Sequence, residues 1–353
     1  MDLPAVRRQP PTVSCRWRRP LYLNHNAGRE PSIPSNDTAP DGAPSVRLPM
    51  THKRALKWAL ALVMLAGLVW WVQAEVGWVA LLRPWKAFPP EELALLVLLT
   101  ALSYLTRAIR LYEHYRSRLR APFAVFLRIN VLHTTLLNLL PMRTGEVAFP
   151  VMMKRRFGEG YVSSVANLLW LRVADLWVLL WLGLVTFAWR GTPWLWLPVA
   201  MGAVLPLVLQ PLRQTIVHGI EGEGRMVRSL RILVDGLPAR YTDYLRLLLW
   251  TLATWTLKLA AFVSVARFFI GGEPGPLVPG VIAAEISNAL PVQGVAGFGS
   301  YELAMVLGGS MAAVPREALL AAAVNLHLFI LACTLAFGAL AWLIPDRIAV
   351  DER

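Results

Sequence analysis

Long apolar runs separated by short polar segments extend along the chain from residue 55 to residue 344. A helix needs about 20 mainly apolar residues to cross the hydrocarbon of a bilayer. The pattern therefore predicts an all-α, polytopic integral membrane protein, whose single transmembrane domain covers residues 50–353. The six predicted spanning segments are residues 55–72, 92–112, 162–188, 194–210, 245–270 and 318–343.

The N-terminal part of the chain admits two interpretations. A basic front and the sequence Val72-Gln73-Ala74 are compatible with a cleaved signal peptide, but the apolar run exceeds the roughly 7–15 residues of a signal-peptide core. We favour a retained first helix. Residues 1–49 are rich in Pro, Arg, Ser and Asn without apolar periodicity, which predicts a disordered basic tail. Met50 is an alternative native start.

Two further apolar stretches, residues 121–141 and 277–313, are interrupted and do not fit the list of simple spans. Basic residues mark cytoplasmic loops. The basic segments 116–120 and 154–156 flank the first stretch, and both lie on the cytoplasmic side only if that stretch enters the membrane and returns. Three predicted crossings, 162–188, 194–210 and 245–270, separate the two stretches, so the second stretch must enter from the opposite side. The predicted topology is six crossings plus two opposed re-entrant segments, with both termini cytoplasmic.

The two interrupted stretches share a short motif. Asn138-Leu-Leu-Pro141 is followed by Gly145, and Asn288-Ala-Leu-Pro291 is followed by Gly294. Broken helices in opposed orientations are typical of inverted-repeat transporters, which build their substrate sites from them. Backbone groups that proline and glycine leave unpaired are tolerated at membrane depth only against protein or a water-filled cavity. The alternative is a pair of kinked ordinary helices.

Ionisable residues inside the apolar segments are the candidate site residues, because a charge at membrane depth costs at least about 2.5 kcal/mol. They are Arg143, Glu146, Arg172, Asp175, Glu285 and Glu302. The i, i+3 spacing of Arg172 and Asp175 predicts a pair on one helix face, which is functional or purely structural. We interpret Arg107 and Arg110 as interfacial anchors.

Arg143 lies beside the first break, where a planar guanidinium can bind a phosphate headgroup. Glu146 and Glu302 can relay protons, or they can pair with Arg143 or Arg172 and hold a fixed charge. The asparagines Asn138, Asn288 and Asn325 are expected to tie helices together.

Composition excludes several other classes of function. Hydrophobic residues make up 56% of the 353 residues and charged residues 16%, so the net charge of +13 fits basic loops beside membrane helices better than nucleic-acid binding. The 2 cysteines and 6 histidines show no metal-ligand spacing, and no nucleotide-binding motif is present. We expect no metal, no cofactor and no direct use of ATP.

The sequences NLLPMRTGEV, LRVAD and NALPVQGVAGFGSYELA resemble the transmembrane, flippase-like domain of lysylphosphatidylglycerol synthases and its stand-alone relatives, over roughly residues 55–345. The positions carried over by this resemblance are Asn138, Pro141, Arg143, Gly145, Glu146, Arg172, Asp175, Pro291, Gly297, Gly299 and Glu302. The chain departs from the family pattern where Val147-Ala-Phe-Pro replaces a segment with a further arginine, and where Leu171 replaces a glutamate.

The resemblance implies translocation of a lipid between leaflets of the cell inner membrane, with an anionic headgroup held at the two breaks. Asn288 joins the substrate-binding candidates through the repeat. One alternative is a membrane enzyme on a lipid-linked substrate with Glu146 or Asp175 as general base, and another is an accessory partner of a lipid-synthesis enzyme. We expect no enzyme activity, and no aminoacyl transfer because no soluble transferase domain follows the apolar part.

Overall fold

The computed structural model describes residues 52–344, apart from short gaps at 117, 120, 220–223, 225, 226, 228–230, 233, 235, 239, 272, 274, 289–293 and 311–313. The described part is all α-helical, as predicted. Its helices are α1 His52–Glu75, α2 Trp78–Leu82, α3 Pro90–Tyr115, α4 Phe123–Leu139, α5 Ala148–Phe157, α6 Tyr161–Trp189, α7 Trp196–Gly219, α8 Tyr241–Ile270, α9 Val278–Ser287, α10 Ser300–Gly309 and α11 Arg316–Leu343. The predicted tail, residues 1–49, lies outside the described residues.

Four helices of the described part, α3, α6, α8 and α11, are long and apolar enough to cross a membrane. A fifth candidate is the bent pair Leu65–Glu75 and Trp78–Ala87, whose two arms meet at 88°. The remaining predicted segment, residues 194–210, corresponds to the shorter apolar helix Pro193–Val208. The protein is therefore a multi-pass membrane protein, and its described residues contain four or five spanning candidates by length and composition.

Local sequence explains where the long helices begin and end. Pro90 occupies the first turn of α3 and is followed by Glu91 and Glu92, so the missing proline N–H costs nothing there and the carboxylates favour the helix N-terminus. Gly158, with φ 70°, ends α5, and Gly271, with φ 79°, ends α8. These left-handed conformations are open to glycine and strained for other residues.

The first interrupted stretch forms a hairpin of α4 and α5 that leaves and returns to one end of the bundle. The end of α3 lies beside the start of α6, because the His114 imidazole is 3.1 Å from the Asn167 side chain. The chain between these two points is the hairpin, so its two ends share that face. The start of α8 lies there too, with Arg246 3.6 Å from Glu113 of α3.

The second interrupted stretch forms a hairpin of α9 and α10 at the opposite end. Ile270, at the end of α8, and Val314, just before α11, pack against the same small cluster of buried side chains, so this hairpin also returns to the face from which it enters. Helices α3 and α8 are antiparallel, since Thr106 bonds Thr254 while Arg110 bonds Thr251. The two hairpins therefore enter from opposite ends, as the inverted repeat predicts.

Candidate functional site

A cavity of about 560 Å³ lies between the two breaks and is also lined by residues of α3, α6, α8 and α11. Its lining includes Asn138 and Arg143 from the first hairpin, and Asn288 and Gly297 from the second. Residues that the motifs place 150 positions apart are thus brought to one site. Both breaks contribute polar atoms to this cavity, which is how unpaired backbone is tolerated in an apolar bundle.

The first break is a 3-10 segment, Pro141–Val147, between α4 and α5. Arg143 has φ 54°, an uncommon left-handed conformation for a residue other than glycine. Gly145 packs against α4 so closely that a Cβ there would lie 2.4 Å from the Leu136 carbonyl oxygen. Gly145 therefore allows the backbone of the break to lie against α4, and the left-handed backbone of Arg143 sets the direction of its side chain.

Arg143 connects the two breaks. Its Nη1 donates a hydrogen bond to the Asn288 carbonyl oxygen, at 2.6 Å, at the end of α9. Its Nη2 donates to the Glu146 carboxylate three residues later. Arg143 thus satisfies one of the carbonyl groups that a helix end leaves without an intrahelical partner. Of the two alternatives given for Glu146, proton relay or an ion pair with an arginine, the structure shows the ion pair with Arg143.

The described part of the second break, residues 294–299, contains three residues with left-handed backbone. Ala296 has φ 53°, Gly297 has φ 86° and Gly299 has φ 91°. Glu302 then caps α10, because its Oε2 accepts a hydrogen bond from the Gly299 N–H at 2.7 Å. Of the two alternatives given for Glu302, pairing with Arg143 or Arg172 is not the one the structure shows, since Glu302 Oε1 lies 2.6 Å from His327 Nδ1.

Asp175 accepts hydrogen bonds from three side chains on two other helices. Arg110 Nη1 donates to it at 2.6 Å and Arg107 Nη2 at 3.2 Å, and the Trp255 indole N–H donates at 3.0 Å. Two predictions are corrected here. Asp175 pairs with arginines of α3 and not with Arg172, and Arg110, which is 3% exposed, is a buried ion-pair partner and not an interfacial anchor.

Arg172 is left with one ion pair within the described residues, to Glu146 at 3.7 Å. Its guanidinium lines the cavity and its Nε is buried without a hydrogen-bond partner. A partly buried guanidinium favours a further anionic partner, because its donors are no longer fully hydrated. Arg172 is thus the cavity cation that the protein itself engages least.

Two cavity residues escaped the sequence reasoning. Lys258 of α8 donates from Nζ to Glu285 Oε2 at 2.6 Å, and His327 lies on α11 against the second break. A lone lysine in the middle of an apolar segment was an available signal of function at membrane depth. The cavity is lined by four cationic side chains and three carboxylates. The cations are Arg107, Arg143, Arg172 and Lys258, and the carboxylates are Glu146, Asp175 and Glu285.

The cavity opens sideways along α6. Leu169, Val173 and Leu176 line the cavity and are nevertheless 47%, 45% and 40% exposed. Large apolar side chains that border a charged cavity and also face outward mark a boundary with lipid hydrocarbon. A ligand that is polar at one end and apolar at the other fits this boundary.

The remaining predicted residues have mixed outcomes. Asn138 ties α4 to α11 through a 3.0 Å hydrogen bond to the Thr334 hydroxyl, and Asn325 donates to the Leu81 carbonyl at 3.1 Å, as expected of helix-linking asparagines. Pro141 begins the first break. Pro291 lies in the gap 289–293, outside the described residues.

The fold and the site define a multi-pass membrane protein with two opposed hairpins and a charged cavity bordered by exposed apolar side chains. The family described as the lysylphosphatidylglycerol synthase TM region matches residues 58–338, which is most of the chain. The chain belongs to this family of membrane proteins associated with lipid handling. No curated protein and no solved structure matches the chain.

Proposed function

We propose that the protein moves an amphiphilic lipid with an anionic headgroup between the two leaflets of the membrane. The headgroup enters the cavity while the hydrocarbon chains stay in the bilayer beside α6. The observation that carries the proposal is the lateral boundary at Leu169, Val173 and Leu176, where a charged cavity meets exposed apolar side chains. A soluble substrate has no use for such a boundary.

The charges of the cavity favour an anion. Within the described lining, four cations face three carboxylates, and a buried charge without a partner is costly. Asp175 and Glu285 are engaged by Arg110 and Lys258 at 2.6 Å each, whereas the ion pair that Arg172 forms among the described residues is its 3.7 Å contact with Glu146. A phosphate at Arg172 supplies the missing anion through a bidentate pair.

Movement of the headgroup past the midplane requires the two hairpins to move relative to the rest of the bundle, as in other inverted-repeat transporters. The Arg143 bond to the Asn288 carbonyl joins the two breaks directly. We therefore propose that Arg143 is the contact that changes between states, and that Arg172 is the contact that binds the headgroup.

The test is lipid movement in reconstituted vesicles of phosphatidylcholine and phosphatidylglycerol, followed with fluorescent phosphatidylglycerol and quenching of the outer leaflet. We expect Arg172→Gln to slow the movement about tenfold or more, because a hydrogen bond to a charged group contributes about 1.5–3 kcal/mol. The matched control is Arg155→Gln, an exposed arginine at the end of α5. Equal rates for both variants, or no movement above protein-free vesicles, would refute the proposal.

We also propose that the protein resides in the cell inner membrane. The end of the bundle at which α3 ends and α8 begins then lies on the cytoplasmic side. The basic segments 116–120 and 154–156 adjoin this face, which supports the orientation. A cysteine replacing Lys154 should then react only with membrane-permeant reagents in intact cells, and one replacing Glu273 should react with impermeant reagents. The reverse pattern would contradict this orientation.

A further inference from the structure

Both ring nitrogens of His327 make short polar contacts, and together these contacts need two protons. Nε2 lies 2.9 Å from the Ala296 carbonyl oxygen, and Nδ1 lies 2.6 Å from Glu302 Oε1. A carbonyl oxygen accepts only, so Nε2 carries a proton. The short contact between Nδ1 and Oε1 needs a second proton, on the imidazole or on the carboxyl group. A neutral imidazole facing an ionised carboxylate holds one proton in total and can make only one of the two contacts.

The surroundings of the pair isolate this second proton. Glu302 is 0% exposed and His327 is 4% exposed. The rings of Phe298 and Tyr301 lie 4.3 Å and 4.7 Å from the imidazole ring. His327 lines the cavity and Glu302 does not, so the imidazole connects the carboxylate to the cavity.

The other charged and titratable groups around the pair already have partners. Tyr301 of α10 donates to Glu285 of α9 at 3.4 Å, and Lys258 of α8 holds the same carboxylate at 2.6 Å. Arg143, at the first break, bonds the Asn288 carbonyl and Glu146. On α3, the hydroxyl of Tyr104 lies 3.2 Å from that of Thr334, two turns along α11. Glu302 is thus the carboxylate in direct contact with His327 among the described residues.

Loss of the second proton has a defined structural consequence. The single remaining imidazole proton goes to the ionised Glu302, because a hydrogen bond to a charged acceptor is about twice as strong as one to a neutral carbonyl. The Ala296 carbonyl then loses its donor. Ala296 is held at φ 53°, a conformation that costs a residue with a side chain about 1–2 kcal/mol. The second break is therefore released from α11 when the proton leaves.

We propose that Glu302 and His327 form a proton-binding site that fastens the second break to α11, so that lipid movement is coupled to proton binding and release. This inference rests on the proposed function, and it names the coupling ion. The proton is taken from water on one side of the membrane, held between Nδ1 and Oε1, and returned to water on the other side. Uptake of the proton forms one N–H or O–H bond at Nδ1 or Oε1 and its release breaks that bond, and the hydrogen bond from Nε2 to the Ala296 carbonyl is made and broken in the same steps.

The decisive variant is Glu302→Gln. Its amide carbonyl can accept from the Gly299 N–H and its NH₂ group can donate to Nδ1, so both imidazole contacts persist without an exchangeable proton. The matched control is Glu317→Gln, which removes an exposed carboxylate in the first turn of the same α11.

The first measurement is ¹⁵N NMR of the His327 imidazole in lipid nanodiscs, assigned by difference with His327→Asn. We expect the wild-type protein and Glu317→Gln to lose the proton on Nε2 as the pH is raised, because the one proton that remains on the imidazole then lies on Nδ1 and faces Glu302. Glu302→Gln should keep the Nε2-protonated neutral ring throughout. Identical titrations of wild type and Glu302→Gln, or no titration in the wild type, would overturn the proposal.

The second measurement imposes a pH difference on the phosphatidylglycerol vesicles described above. A difference of one pH unit is a tenfold proton ratio, so one-to-one coupling sustains up to about a tenfold lipid asymmetry. We expect such asymmetry for the wild type and Glu317→Gln, and none for Glu302→Gln. Lipid movement without any lipid asymmetry under the pH difference would refute the coupling and leave the proposed function intact. If the wild type moves no lipid, the proposed function fails and the NMR titration alone decides whether the proton site exists.

Discussion

Replacing Asp175 by asparagine removes a buried carboxylate while leaving the shape of the side chain nearly unchanged. In the wild-type protein this carboxylate accepts hydrogen bonds from Arg107, Arg110 and Trp255. Arg110 is 3% exposed, so its guanidinium cannot be rehydrated without movement of α3. Breaking a buried ion pair from one side costs about 3–5 kcal/mol, most of which is the penalty of the charge left behind.

We therefore expect Asp175→Asn to lower the free energy of unfolding by about 3–5 kcal/mol, measured by denaturant titration in mixed micelles. The matched control is Glu113→Gln. Glu113 also contacts two arginines, Arg116 at 3.0 Å and Arg246 at 3.6 Å, but those arginines are 44% and 49% exposed. Surface pairs contribute about 0–1 kcal/mol, so the control should be nearly neutral.

A double variant separates a true pair energy from a general loss of packing. Asp175→Asn combined with Arg110→Gln removes both members of the 2.6 Å pair. We expect the double variant to be more stable than the sum of the single changes predicts, by about 1–3 kcal/mol, as for residues in direct contact. Strict additivity, or a cost below about 1 kcal/mol for Asp175→Asn, would refute the reasoning and mean that the cavity rehydrates the arginines.

Three further changes test the packing around the breaks. Gly145→Ala should destabilise the protein by about 1–3 kcal/mol or more in denaturant titration, since its Cβ meets Leu136, whereas Gly160→Ala meets open space and should be near neutral. Asn325→Leu should cost about 1–3 kcal/mol in the same assay because the Leu81 and Trp85 groups lose their partner. Ala296→Gly should relieve the left-handed strain and raise stability by up to about 1 kcal/mol, and a loss of stability would refute that reading.

Sequence patterns were sufficient for the helices because lipid imposes one simple condition on them. A segment that crosses hydrocarbon must satisfy its own backbone groups and present apolar side chains, and both properties are visible in 92–112, 162–188, 245–270 and 318–343. The corresponding helices α3, α6, α8 and α11 extend those limits by a few residues. Charge counting across the basic segments was likewise sufficient to identify the two hairpins, because each loop lies on one side or the other.

The sequence by itself determined where the two breaks fall and most of the residues that carry charge at membrane depth, but not Lys258 or the buried position of Arg110. It could not determine which charges face one another. The spacing of Arg172 and Asp175 indicated a local pair. In the tertiary structure, however, Asp175 forms ion pairs with Arg107 and Arg110, and Arg172 forms one with Glu146. An ion pair within one helix needs only spacing, whereas a pair between helices depends on their rotation and register. Those are decided by packing of the whole bundle, and so are the cavity and the Glu302–His327 contact.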